Sequence, residues 1–316
     1  MAIRTFLSDR GDTGRRLDLV LRRHLANLEV ATRNRVQTWI DDGTVSINGQ
    51  TVRRAAARIA AGDVLTVDIP DADVPATRRI EPHHADFDIL FEDDHLLAVN
   101  KPAGLVVHPT HAHPSETLLN RLVWYARDWP ASARPSIVGR LDKLTSGIVL
   151  VSKSAVLHAR LQRTATTKDY LALVYGRLRI ARGTIDLRLR RDPHDRRKVA
   201  ASGTEGARSR TEFERLAQSC GPATAVALLR CRLITGRTHQ IRAHLSARGW
   251  PIVGDPVYGT STLLPFPRQA LHSWRLAFVH PVTMTAVAIE APVPADMREL
   301  MASLNVGCPS PNPQPH

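Results

Sequence analysis

Apolar positions along the first seventy residues change period part-way. Leu17, Leu21, Leu25 and Leu28 recur at three- and four-residue intervals, which places them on one stripe of a helix. Thr32 is positioned to cap a second helix that buries Val36, Trp39 and Ile40 and stops at Gly43. Alternation then replaces the helical period. VSINGQTV reads as a hairpin, because both central residues of a type I′ turn need positive φ and Asn48-Gly49 supplies them. Gly62-Asp63 turns the chain into VLTVDI, where Leu65, Val67 and Ile69 share a face. Two helices followed by strands make residues 15–70 a small α+β domain.

Residues 71–82 fall in PDADVPATRRIEP, whose prolines and alternating charges mark a linker. From 83 to 300 the pattern predicts one large mixed domain. Its strand-like runs are LLAVN, GIVLVSK, YLALVYG and AVALLRCRL, and helical stretches cover 154–164 and 238–248. YLALVYG is apolar on both faces and should be central, with Tyr170 opening it at the sheet end. Residues 307–316, GCPSPNPQPH, form a Pro-rich tail expected to be disordered.

Charge narrows the partners. The chain has 43 Lys+Arg against 30 Asp+Glu, a formal +13, which favours a polyanion through phosphate neutralisation. Residues 15–58 alone carry nine arginines against four acids. Arg33 and Arg35 open the second helix, whose N-terminus already suits phosphate, and are candidate phosphate contacts. The competing reading is a solvated basic face. Cys220, Cys231 and Cys308 make no disulfide or CxxC framework, and no apolar run is long enough to span a bilayer. A cytoplasmic protein without membrane attachment is the expectation.

The most informative chemistry lies in SIVGRLDKLTSGIVLVSK. Asp142 occupies a polar loop between two apolar strands, close to the core, where burial would raise its pKa unless a cation holds it ionised. A loop aspartate alone is more often a cap on backbone amides. Tyr170 alone would be a core tyrosine, and Arg237, at the entrance of the 238–248 helix, an ordinary surface arginine. His108, His111 and His113 in HPTHAHP invite a metal reading but lack accompanying carboxylates or cysteines, so no metal is expected.

Together, RLDKLTSG, KDYLALVYG, TGRTHQIRAHL, FEDDHLLAVNKPAGLVVHPT and LHSWRLAFVHP resemble the RluA/RluD-type pseudouridine synthases in order and spacing, over about residues 88–297. Residues 15–70 likewise resemble the S4-like RNA-binding domain, through RLDLVL, the Thr-Arg pair opening the second helix, GTVSINGQ and the closing GD. The resemblance implies an α+β fold: a mixed, mainly antiparallel sheet with flanking helices, plus the small S4-like domain. It implies an isomerase without cofactor or metal. Asp142 falls on the catalytic aspartate, Arg140 on the arginine that fills the place of the flipped uridine, and Tyr170 on the tyrosine packing on the base. Arg237 falls on the basic partner of the carboxylate, and Ile241 and Leu245 on packing residues. The implied partner is RNA, large-subunit ribosomal RNA first, acted on by a monomer. Transfer RNA, or a catalytically silent ribosome-assembly factor, are the alternatives. Two positions depart from the pattern: Gly139 where the family reads His before RLD, and Ser273 where alanine is usual.

Overall fold

The computed structural model describes the chain apart from Met1 and residues 10–11, 26–27, 29, 71–79, 111–112, 131–132, 196, 221–224, 260–263 and 308–316. Residues 71–79 of the expected linker and 308–316 of the expected tail therefore lie outside the described residues. The chain divides into two compact units, Met1–Arg79 and Ile80–His316.

The first unit contains β1 (Ala2–Leu7), α1 (Leu17–His24), α2 (Arg33–Asp41), β2 (Val45–Ile47), β3 (Gln50–Thr51) and β4 (Val64–Ile69). Thr32 caps α2 by accepting a bond from the Arg35 amide. Asn48 and Gly49 have φ of 51° and 79°, as their turn requires. Leu17, Leu21, Val36, Trp39 and Ile40 pack on Leu65 and Val67 of the sheet. Burying Trp39 alone removes apolar surface worth roughly 3 kcal/mol. The α1 helix ends at His24, so Leu25 is buried as its cap and Leu28 packs from outside the helix. The sheet order is β1-β4-β2-β3, so it begins at Ala2 rather than inside the 15–70 span. Backbone pairing with β4 defines β1, while Ile3 and Leu7 stay exposed. A strand that buries so little shows no clear amphipathic pattern.

The second unit opens with β5 (Asp88–Glu92), β6 (Leu96–Lys101), α3 (Leu118–Tyr125), β7 (Ser136–Val138), β8 (Ser146–Ser152), α4 (Ala155–Leu161) and β9 (Thr166–Tyr175). It continues with β10 (Arg182–Arg191), β11 (Val199–Ser202), β12 (Ala207–Cys220), β13 (Ala225–Leu233) and α5 (Gln240–Ala247). It closes with β14 (Leu271–Val279), β15 (Ala286–Glu290) and α6 (Ala295–Ser303). One sheet runs β11-β10-β12-β13-β9-β14-β8-β6-β5, with β7 on β8 and β15 on β14. Its named pairings are antiparallel except β14 with β8. The fold is thus the mixed, mainly antiparallel sheet that the motifs imply.

Both faces of the sheet are covered around β6, β8 and β9, which explains their continuous apolar runs. On β6 and β8, Leu96, Ala98, Ile148 and Leu150 belong to one core, and Leu97, Val99, Val149 and Val151 to another under α3. The β9 strand is central, as expected, and Ile241 and Leu245 of α5 pack in its core. Tyr170, however, is the fifth residue of β9 and not its first. Pairing with β14 carries the strand back through Lys168 and Thr167 to Thr166, beyond the apolar run that signals it. The parallel contact of β8 with β14 depends on Gly147, where a Cβ would lie 2.1 Å from the Ser273 carbonyl oxygen.

Candidate active site

The loop from Gly139 to Thr145 joins β7 to β8, and buried groups pin it from below. Lys101, fully buried at the end of β6, donates from Nζ to the carbonyls of Pro102, Leu105 and Lys143 at 2.8, 2.9 and 3.1 Å. Burial pushes its pKa down to about 7, against the pull of the Asp142 charge. The Gly104 amide shares the Lys143 carbonyl. Arg268 reaches the Leu144 carbonyl and Gln269 donates to Thr145 Oγ1. The stretch that follows Asp142 is therefore held at several points.

The cation beside Asp142 is Arg242, the third residue of α5. Its Nη1 donates to Asp142 Oδ2 at 2.9 Å, while Nε and Nη2 each lie 2.8 Å from the two carboxylate oxygens of Asp255. The Arg242 side chain is 4% exposed and that of Asp255 0%. Burial would push the Asp255 carboxyl up; the Arg242 bonds and charge, with the Tyr258 and Val257 amides, reverse that and hold it below the ordinary carboxylate range. Burial likewise opposes the Arg242 charge, and the two carboxylates outweigh it. Asp142 keeps 27% of its side-chain surface.

Arg237 does not pair with Asp142. It lies in the turn before α5 with its side chain exposed, while its amide donates to Gln240 Oε1. Residues 240–245 are all buried, so the helix has no solvent face at Arg242. A buried guanidinium must meet carboxylates, whereas one three residues before the helix stays in water. That run of burial, with Asp255 thirteen residues downstream, is the signal that points to Arg242. Arg237 nevertheless lines the two cavities that meet at Asp142, of about 650 and 270 Å³.

His239 caps α5 with φ 53° and ψ 19°, a left-handed conformation. Its Nε2 lies 3.7 Å from Asp142 Oδ2 and its Nδ1 3.2 Å from the Tyr258 hydroxyl. Motif reading singled out neither Lys101, Arg242, Asp255, His239 nor Tyr258 as a site residue.

Tyr170 lines the smaller cavity with Asp142, Arg140 and Lys168. Burial pushes its hydroxyl up to about 12, with Ser273 pulling the other way through a hydrogen bond and the Asp142 charge adding to burial. Arg140 is exposed and its Nη2 donates to Thr238 Oγ1 at 3.3 Å. Arg190, Arg191 and Lys198, on and beside the β10–β11 hairpin, line the larger cavity. In the first unit, Arg33 and Arg35 sit on the exposed start of α2. Of the three histidines in HPTHAHP, His111 lies outside the described residues and His113 is 3.2 Å from the Lys143 ammonium. Among the described residues, no three His, Cys, Asp or Glu side chains gather as a metal would need.

Comparisons with known proteins agree with this architecture. A sequence profile described as RNA pseudouridylate synthase matches residues 95–247, and one described as S4 domain matches residues 15–65. The RNA pseudouridine synthase YlyB of Bacillus subtilis is 39% identical over 86% of this chain and 89% of its own length. The ribosomal large subunit pseudouridine synthase D of Zymomonas mobilis is 38% identical over 93% of this chain and 95% of its own. Its counterpart of that name in Escherichia coli is 35% identical, over 91% and 90%. The solved structure of human RNA pseudouridylate synthase domain containing 1 shares the fold. Its TM-score is 0.55 at 24% identity, covering 73% of this chain and all of that one.

Proposed function

This chain belongs to the RNA pseudouridylate synthase family, an isomerase converting uridine to pseudouridine in RNA, and we propose that Asp142 is its reacting carboxylate. The observation that carries this reading is the placement of Asp142. It sits where two cavities meet, ionically paired to a buried arginine, with a tyrosine ring in the same cavity. Isomerisation breaks the bond from ribose C1′ to uracil N1, forms one from C1′ to C5, and moves the C5 proton to N1. Both routes open to a carboxylate, attack at C1′ and proton removal at C2′, need Asp142 ionised. Arg242 pairs with that carboxylate and fixes its orientation.

Position supports the remaining roles in this reading. Tyr170 presents its ring to the flipped base. With its hydroxyl held at about 12 it stays protonated at neutral pH, which suits stacking rather than service as a resting base. Arg140, exposed at the rim, is placed to fill the gap a flipped nucleotide leaves, offsetting part of the few kcal/mol that flipping costs. Arg33 and Arg35, with the S4-like unit, and Arg237, Arg191 and Lys198 in the catalytic unit, supply phosphate contacts. The substrate we favour is large-subunit ribosomal RNA, supported by the names of the relatives alone. A cytoplasmic monomer accords with it. No helix among the described residues is long and apolar enough to cross a membrane.

Asp142→Asn tests the assignment. The variant should bind an unmodified large-subunit ribosomal RNA transcript as the wild type does and form no pseudouridine. Turnover by that variant would remove Asp142 from the chemistry.

A further inference from the structure

The two contacts on Asp142 fall on the same oxygen. Arg242 Nη1 is 2.9 Å from Oδ2 and His239 Nε2 is 3.7 Å from it, and among the described residues no partner meets Oδ1. The protonation of His239 can be read from its other side. The Tyr258 oxygen accepts a bond from the Val199 amide at 2.7 Å and lies 3.2 Å from His239 Nδ1. With the Val199 amide already donating to that oxygen, the Tyr258 proton is free to go to Nδ1, and this arrangement puts the ring proton on Nε2. That nitrogen is the one turned toward Asp142.

We propose that His239, held by Tyr258 as the neutral Nε2–H tautomer, is a positioning residue that shares Oδ2 with Arg242 and leaves Oδ1 as the oxygen meeting the target nucleotide. The inference rests on Asp142 being the reacting carboxylate. At 3.7 Å the Nε2–H is just outside hydrogen-bond range, and a closure of less than an ångström completes it. Burial keeps the ring neutral. Among the charged groups facing it, Asp142 and Asp255 favour the imidazolium and Arg242 and Arg140 oppose it, and the balance lies below the ordinary histidine range. Tyr258 is well placed to stay a donor, since burial raises its own pKa. Its ring also packs on the Arg242 guanidinium, 5.1 Å from the centroid. His239 itself takes the left-handed conformation at the start of α5, with φ 53°.

The hydroxyl that orients His239 is itself tied to Val199, the first residue of β11. That strand follows Lys198 and pairs with β10, whose end carries Arg190 and Arg191 at the larger cavity. Occupation of this basic rim by a phosphate backbone therefore acts close to the Tyr258 anchor.

The test is the nitrogen spectrum of the His239 ring in the full-length protein, read with kinetics on the unmodified ribosomal RNA transcript. At neutral pH the ring should show Nε2 protonated and Nδ1 bare. Tyr258→Phe should lose that tautomer bias and lower kcat roughly tenfold with KM within about twofold, since the contact acts on the reacting group and not on RNA affinity. His239→Gln, whose amide can still donate to Oδ2, should keep more kcat than His239→Ala. A cationic ring, an Nδ1–H ring, or a Tyr258→Phe protein with unchanged spectrum and kcat would overturn the assignment and leave Asp142 standing. Turnover by Asp142→Asn would instead overturn the reading of Asp142, whatever the ring spectrum shows.

Discussion

Arg242 holds Asp142 with one edge of its guanidinium and Asp255 with the other, so one buried cation serves both the candidate reacting carboxylate and the loop that follows α5. Arg242→Met should therefore affect folding and chemistry together. It strands the fully buried Asp255, which destabilises by about 3–5 kcal/mol. Arg237→Ala, at an exposed turn, should change stability by less than about 0.5 kcal/mol and weaken RNA binding. Urea denaturation of the two variants beside single-turnover assays separates them. Equal stability losses would contradict the distinction.

Gly139 occupies φ +89°, where any side chain is strained, and a Cβ there would lie 3.6 Å from Lys168 Nζ. Installing the family's usual histidine by Gly139→His should destabilise the protein by roughly 1–2 kcal/mol and lower turnover, because the ring must also find room beside Lys168 in the cavity. Thermal melting and product formation check both parts. A variant as stable as the parent and more active would show that the loop adopts another backbone without difficulty.

His272 is fully buried between Ser146 and the Ala291 carbonyl. Burial pushes its pKa down to about 4, the Ala291 carbonyl opposing and the Arg268 charge assisting. The unfolded chain takes up that proton near pH 6.5, before the folded one does. Its contribution is therefore complete above pH 6.5 and is lost as pH falls toward 4, by about 3 kcal/mol in all. Stability of wild type and His272→Gln followed across that range should converge toward the acid end. Parallel curves would refute the shift.

Arg191 and Lys198 flank the larger cavity and form no ion pair among the described residues. If they meet phosphates, replacing both with serine reduces the slope of log affinity against log salt by about one to two. Filter binding over a salt series measures it. An unchanged slope would place the RNA backbone elsewhere.

Much of this protein was legible in its residues. Period and alternation located α2, the Asn48-Gly49 hairpin, β6, β8, β13 and the helix α5, because each buries a continuous face and leaves a pattern. The strands β1, β10 and β12 left little trace, being held chiefly by backbone pairing with mostly polar or exposed side chains. Motif order was sufficient for the family, and it put forward Asp142 and Tyr170, which line one cavity, as candidates. It was not sufficient for the partner of Asp142. Arg237 and Arg242 stand five residues apart in one motif, and which of them is buried depends on where α5 begins and what packs around it. The left-handed turn at His239 and the full burial of residues 240–245 make Arg242 the one that reaches Asp142. Local sequence determines which groups are available and the periodicity of their elements. The pairing of two charges about a hundred residues apart is decided by desolvation, which only the assembled tertiary structure imposes.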